Sequence, residues 1–127
     1  MDLIKLKDLA IEAALAAGNF IRENSDVNPA VEKKIGGTSY AAQVVTEIDR
    51  EAEKIILTYL LPSCTEDQIA LLSEETEDDK SRFEKDYFWC IDPMDGTLAF
   101  INKHPGYSVS IAPVSYTHLT LPTTPYV

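Results

Sequence analysis

The chain has 127 residues, 45% of them hydrophobic and 25% charged, with a formal net charge of −10. That is enough for one domain with its own core, too little for two comfortable ones, and too apolar for a disordered chain. The acidic excess argues against a nucleic-acid partner, because phosphate backbones are held by Lys and Arg, and no apolar run reaches the about 20 residues of a membrane span.

Lys5 and Lys7 precede an apolar stretch and give it the outline of a signal peptide, but Asp8 and Glu12 interrupt it. Its apolar residues recur at helical spacing, so it reads as a helix of the mature protein. Cys64 and Cys90 form no CxxC pair. Two buried free thiols in a cytoplasmic protein are the expectation.

Residues 3–24 read as an amphipathic helix, with Leu6, Ala10, Ala13, Ala17, Phe20 and Ile21 on one stripe. Asn24, Ser25 and Asp26, then Asn28-Pro29, break it. Residues 30–45 are short, β-branched and punctuated by Gly36-Gly37, which predicts two strands around a turn. Lys33 and Lys34 before that turn read first as solvated lysines on an edge strand, and second as cations that balance substrate charge.

A second helix is predicted from near Thr46 to Leu61-Pro62, with Ile48, Ala52, Ile55, Ile56, Tyr59 and Leu60 as its buried stripe. Thr46 and Asp49 have the spacing of a capping box, which taken alone is the simpler task for both. Ile69-Ala70-Leu71-Leu72-Ser73 then reads as a buried strand running into Glu74-Glu75-Thr76-Glu77-Asp78-Asp79. Most of that acidic run is expected to be solvated loop. Glu74 and Glu75 differ because they stand at a strand end, where sites gather in open α/β sheets.

The chain is organised around Tyr87-Phe88-Trp89-Cys90-Ile91-Asp92-Pro93-Met94-Asp95-Gly96-Thr97. An apolar strand is expected to end at Asp92, where Pro93 stops its pairing, so that two carboxylates are delivered to a turn, and a short apolar helix follows. Carboxylate oxygens suit a hard cation such as Mg²⁺ or Ca²⁺, and the backbone N–H groups of Gly96 and Thr97 face a place where phosphate could bind. Cation and phosphate side by side suggest phosphoryl chemistry. Residues 107–112 alternate like another strand. Neither His104, in a turn beside Pro105, nor His118 is assigned a role.

Residues 114–127, from Val114-Ser115-Tyr116-Thr117-His118 onward, read like one frame of the transposon-end adapter of DNA library preparation. The expected division is therefore a native α/β part, 1–113, and a non-native tail, 114–127.

Asp92-Pro93-Met94-Asp95-Gly96-Thr97 resembles the signature of the inositol monophosphatase superfamily, which includes the 3'(2'),5'-bisphosphate nucleotidases. Val45-Thr46-Glu47-Ile48-Asp49, Leu72-Ser73-Glu74-Glu75 and Tyr107-Ser108-Val109-Ser110-Ile111 match it too, in the family's order. The resemblance implies the N-terminal part of an α/β/α/β/α sandwich, truncated before a second half whose Trp-Asp motif completes the metal cage. It implies a Mg²⁺-dependent phosphomonoesterase with two or three ions, a small phosphorylated metabolite as substrate, and a homodimer when intact.

By resemblance, Glu74, Asp92, the Met94 carbonyl and Asp95 hold metal with Thr97 beside them, and Glu75 stands behind them or holds a further ion through water. Asp49 and Thr97 activate the attacking water, and Asp95, Gly96 and Thr97 contact the phosphate. Inositol phosphate and 3'-phosphoadenosine 5'-phosphate are the implied substrates, with sugar phosphates open. The resemblance also implies that a fragment lacking the second half is inactive.

Two other readings compete. A haloacid-dehalogenase-type phosphatase needs Asp-x-Asp, whereas Asp92 and Asp95 are three apart with Pro93 between. A non-catalytic cation-binding module would be expected to carry more closely spaced oxygen ligands.

Overall fold

The computed structural model describes residues 2–25 and 38–115, with side chains from residue 45 onward in the second segment. Helix α1 spans Leu3–Glu23, and the Asp2 carboxylate caps it by accepting from the N–H groups of Ile4 (3.0 Å) and Lys5 (3.2 Å). Leu6, Ala13, Ala17 and Ile21 form its buried stripe. The alanines leave little bulk between axes, so α1 lies directly against helix α2, Thr38–Glu66.

Helix α2 differs from expectation at both ends. Residues 38–45 are its first two turns rather than strand, so Thr46 and Asp49 stand in its interior and form no capping box. The predicted strands from residue 30 to 37, with Lys33 and Lys34, lie outside the described residues. At the other end the helix passes through Pro62 and stops at Glu66. Proline forfeits one helical hydrogen bond, but tertiary contacts outweigh it here. Leu60 is fully buried, and the buried Ser63 Oγ accepts a 2.9 Å hydrogen bond from Trp89 Nε1.

Three strands follow: β1 (Ile69–Ser73), β2 (Tyr87–Asp95) and β3 (Ser108–Ser115), in the order β1-β2-β3. Strand β1 pairs parallel to β2, and β3 antiparallel to it. The parallel crossover contains a single 3₁₀ turn, Ser81–Phe83. Helices α1 and α2 cover the sheet face that presents Ile69, Trp89 and Ile91. Phe88 is buried as well as Trp89, which accounts for the apolar reading of the central strand, but the two thiols expected to be buried are not: Cys90 is exposed on β2 and Cys64 is half-buried near the end of α2. A short helix α3, Thr97–Ile101, links β2 to β3. Strand β3 takes in Val114 and Ser115, which pair with Phe88 and Tyr87, and residues 116–127 lie outside the described residues. Among the described residues no helix is long and apolar enough to cross a membrane.

Candidate functional site

Parallel pairing brings the C-terminal ends of β1 and β2 out at one edge. Their register sets Ser73 opposite Ile91, and the Glu74 N–H donates to the Ile91 carbonyl at 3.1 Å, so the next residues, Glu74 and Asp92, emerge side by side. The Glu74 carboxyl donates to Asp92, and Asp92 also accepts from the Met94 N–H at 3.2 Å.

A β-bulge sets the second carboxylate of the motif. Asp92 pairs with Ser110 and Asp95 with Ser108, so three steps along β2 match two along β3. In a regular strand residues three apart point to opposite faces. The extra residue returns Asp95 to the face of Asp92. Pro93, which has no N–H to give the ladder, sits in the bulge with Met94, and both are buried.

Gly96 then turns the chain with φ +89, opening α3. A Cβ there would lie 2.5 Å from the Gly106 carbonyl oxygen, so only glycine fits beneath the loop that leads into β3. Tyr107, next in that loop, packs edge-on against Phe100 of α3 at 5.3 Å between centroids.

Helix α2 supplies Asp49, which is 7% exposed and donates to Glu75, while its Oδ1 is buried with no hydrogen-bond partner among the described residues. Burial first, then the charges of Glu75 and Asp92, pushes the Asp49 carboxyl up to about 7. Glu74 rises to about 7 as well, chiefly through its hydrogen bond to Asp92. Glu75 rises through burial and the neighbouring Glu53 and Asp92 carboxylates, with Arg50 opposing. Asp49, Glu74 and Glu75 are thus each harder to ionise than a solvated carboxyl, with the Asp92 charge contributing to all three shifts.

That donor set suits a hard divalent cation: oxygen only, partly buried, with one carboxylate oxygen unpartnered. The side chains are nevertheless arranged as proton-sharing pairs, and among the described residues no three of His, Cys, Asp or Glu converge closely enough to hold a metal as they stand. Ionisation of the pairs and side-chain rotation are what coordination would require.

Of the candidate residues, Asp49, Glu74, Glu75 and Asp92 come within electrostatic reach of one another, while Met94, Asp95, Gly96 and Thr97 follow Asp92 along β2 and into α3. The carboxyl that meets Asp49 is Glu75, and Thr97 is half-buried at the start of α3. The rest of the acidic run serves the loop: Asp78 accepts from the Lys80 N–H and Arg82 Nε, and Asp79 from the Ser81 N–H. The residue missed from the sequence is Glu53. It is buried and accepts from the hydroxyls of Ser73 and Thr76. Its spacing of four from Asp49, on one helix face, was the available signal.

Comparison with known proteins decides the family. The family model for the inositol monophosphatase family matches residues 2–119. The chain belongs to that family. The Nus factor SuhB of Escherichia coli K12 is 35% identical over 105 residues, covering 83% of this chain and 37% of that protein. An inositol-1-monophosphatase of Synechocystis is 36% identical over 110 residues, covering 87% of this chain and 36% of its own length. Among solved structures, CysQ from Bacteroides thetaiotaomicron, a bacterial family member, superposes with a TM-score of 0.64 at 34% identity, over 84% of this chain and 36% of that one. The chain therefore spans little more than a third of the relatives it matches.

Proposed function

We propose that this chain carries the N-terminal, metal-holding part of a Mg²⁺-dependent phosphate monoester hydrolase. The observation behind this reading is the pairing of Asp49 with Glu75 and of Glu74 with Asp92 where two parallel strands end, with the bulge turning Asp95 to the face of Asp92. Glu74, Asp92, Asp95 and the Met94 carbonyl are the proposed ligands, with Glu75 behind them. Bound Mg²⁺ would neutralise phosphate charge and supply an acidified water.

The chain's own tasks are positional. Asp49, buried and at about 7, is suited to hold or release a proton near neutrality, and Thr97 is its proposed partner in orienting the attacking water. The left-handed turn at Gly96 admits close approach of a phosphate to the backbone of residues 95–97. Phosphoryl transfer asks mainly for such positioning and charge stabilisation. No covalent nucleophile is invoked, and the spacing of three between Asp92 and Asp95, across a bulge, disfavours the dehalogenase-type alternative.

Inositol phosphates are the favoured substrates, given the name of the Synechocystis relative, with 3'-phosphoadenosine 5'-phosphate as the competitor. The protein extended to the length of its relatives should release phosphate from inositol 1-phosphate only with Mg²⁺, and Asp92→Asn or Asp95→Asn should abolish turnover. Near-normal hydrolysis by either variant would refute the site. The name of the E. coli relative, a Nus factor, supplies a second reading, in which the fold serves an assembly rather than catalysis. Mg²⁺ binding without phosphate release from either substrate would favour it.

A further inference from the structure

The buried carboxylate of Glu53 belongs to neither the proposed metal ligands nor the water-activating pair, yet it holds both ends of the turn that carries Glu74 and Glu75. Glu53 Oε2 accepts from Ser73 Oγ at 2.6 Å, and Oε1 accepts from Thr76 Oγ1. Residues 73–76 are closed on themselves by a Thr76 N–H to Ser73 carbonyl bond of 3.3 Å. Glu53 stands one helical turn after Asp49 on α2 and is 7% exposed. One carboxylate therefore ties the end of β1 to the helix that supplies Asp49.

A buried carboxylate is costly unless its hydrogen bonds are made. An apolar residue in its place would leave the buried Ser73 hydroxyl without its acceptor, so the carboxylate and the turn it grips depend on each other. We propose that Glu53 is a positioning residue: with Ser73 and Thr76 it fixes the turn that presents Glu74 and Glu75 to the proposed cation. This rests on the Mg²⁺ reading above. Partners of that kind, which orient ligands without touching the metal, typically carry tenfold or more in metal affinity.

Thr76→Val is the informative variant, because it removes one hydroxyl from an exposed position and leaves every charge in place. Glu53→Gln is its companion, keeping the volume while replacing one acceptor with a donor. Two readouts are needed on the chain as it stands. Mg²⁺ affinity by calorimetry should fall about tenfold in both variants. Amide exchange in EDTA should accelerate at Glu74, Glu75 and Thr76, while amides of α1 and β3 keep their wild-type rates.

Wild-type Mg²⁺ affinity and turn exchange in both variants would overturn the proposal. So would a lowered melting temperature with unchanged Mg²⁺ affinity, the mark of a merely structural contact. If Glu53→Gln fails to fold, Thr76→Val decides on the same two readouts. If the wild type binds no Mg²⁺, the metal reading fails, and exchange in EDTA still judges the clamp: acceleration confined to the turn supports it, and equal rates dismiss it.

Discussion

Replacing Gly96 by alanine tests the local geometry on which the site depends. The backbone there is left-handed at φ +89, and the new Cβ would meet the Gly106 carbonyl oxygen at 2.5 Å and Tyr107 Cα at 3.1 Å. Neither neighbour is a flexible side-chain end, so the loop before β3 must move. A left-handed alanine costs about 1–2 kcal/mol, and displacing packed neighbours typically costs a further ~1–3 kcal/mol, giving roughly 2–5 kcal/mol in all.

Gly18 is the matched control. It lies inside α1, and a Cβ there would meet nothing within 4 Å. Gly18→Ala should therefore stabilise by about 0.5–1 kcal/mol, the helix-interior cost of glycine. Urea unfolding followed by the fluorescence of Trp89, the single tryptophan and fully buried, reads both variants. With a slope of about 1–3 kcal/mol per molar, the Gly96→Ala midpoint should fall by ~1 M or more while that of Gly18→Ala rises. A Gly96→Ala midpoint at or above that of the wild type would refute the geometric argument.

Other outcomes follow from the same packing and charge. Ser63→Ala should cost about 1–3 kcal/mol, because it leaves the buried Trp89 Nε1–H without its acceptor, measurable in the same urea series. Mg²⁺ at about 100 times its dissociation constant should stabilise the chain by ~2.7 kcal/mol, seen as a rise in melting temperature that EDTA reverses. In Asp92→Asn that rise should vanish, and a persisting rise would place the ion elsewhere.

Much of this was legible in the sequence because local pattern and tertiary demand agreed. The α1 stripe was readable from spacing and strands β1 and β2 from their apolar runs, although β2 does not end at Asp92 as expected and resumes its pairing beyond Pro93 at Asp95. The start of α2 was not, because Gly36-Gly37 and the β-branched Val44 and Val45 suggested strand. Val45, three residues before Ile48, is itself on the buried stripe that continues through Ala52, Ile56 and Leu60. Pro62 misled at the other end, where burial of Leu60 and the Ser63–Trp89 hydrogen bond outweigh the lost helical bond.

The site shows a similar division. Two aspartates three apart on a strand should face opposite ways, and only the bulge returns Asp95 to the face of Asp92. A bulge is a property of the pairing with β3, so no local pattern in β2 announces it. Glu53 was hidden for a related reason: its partners Ser73 and Thr76 are 20 and 23 residues away in the chain. A lone glutamate in a charged helix reads as solvated until the strand it meets is known.

Everything proposed for the site depends on Mg²⁺ binding by the carboxylates at the ends of β1 and β2. Titration of this chain with Mg²⁺ by calorimetry, beside Asp92→Asn, tests it most directly. Saturable binding by the wild type, lost in the variant, is the expected result. Absence of binding by the wild type, or equal binding by both, would contradict it.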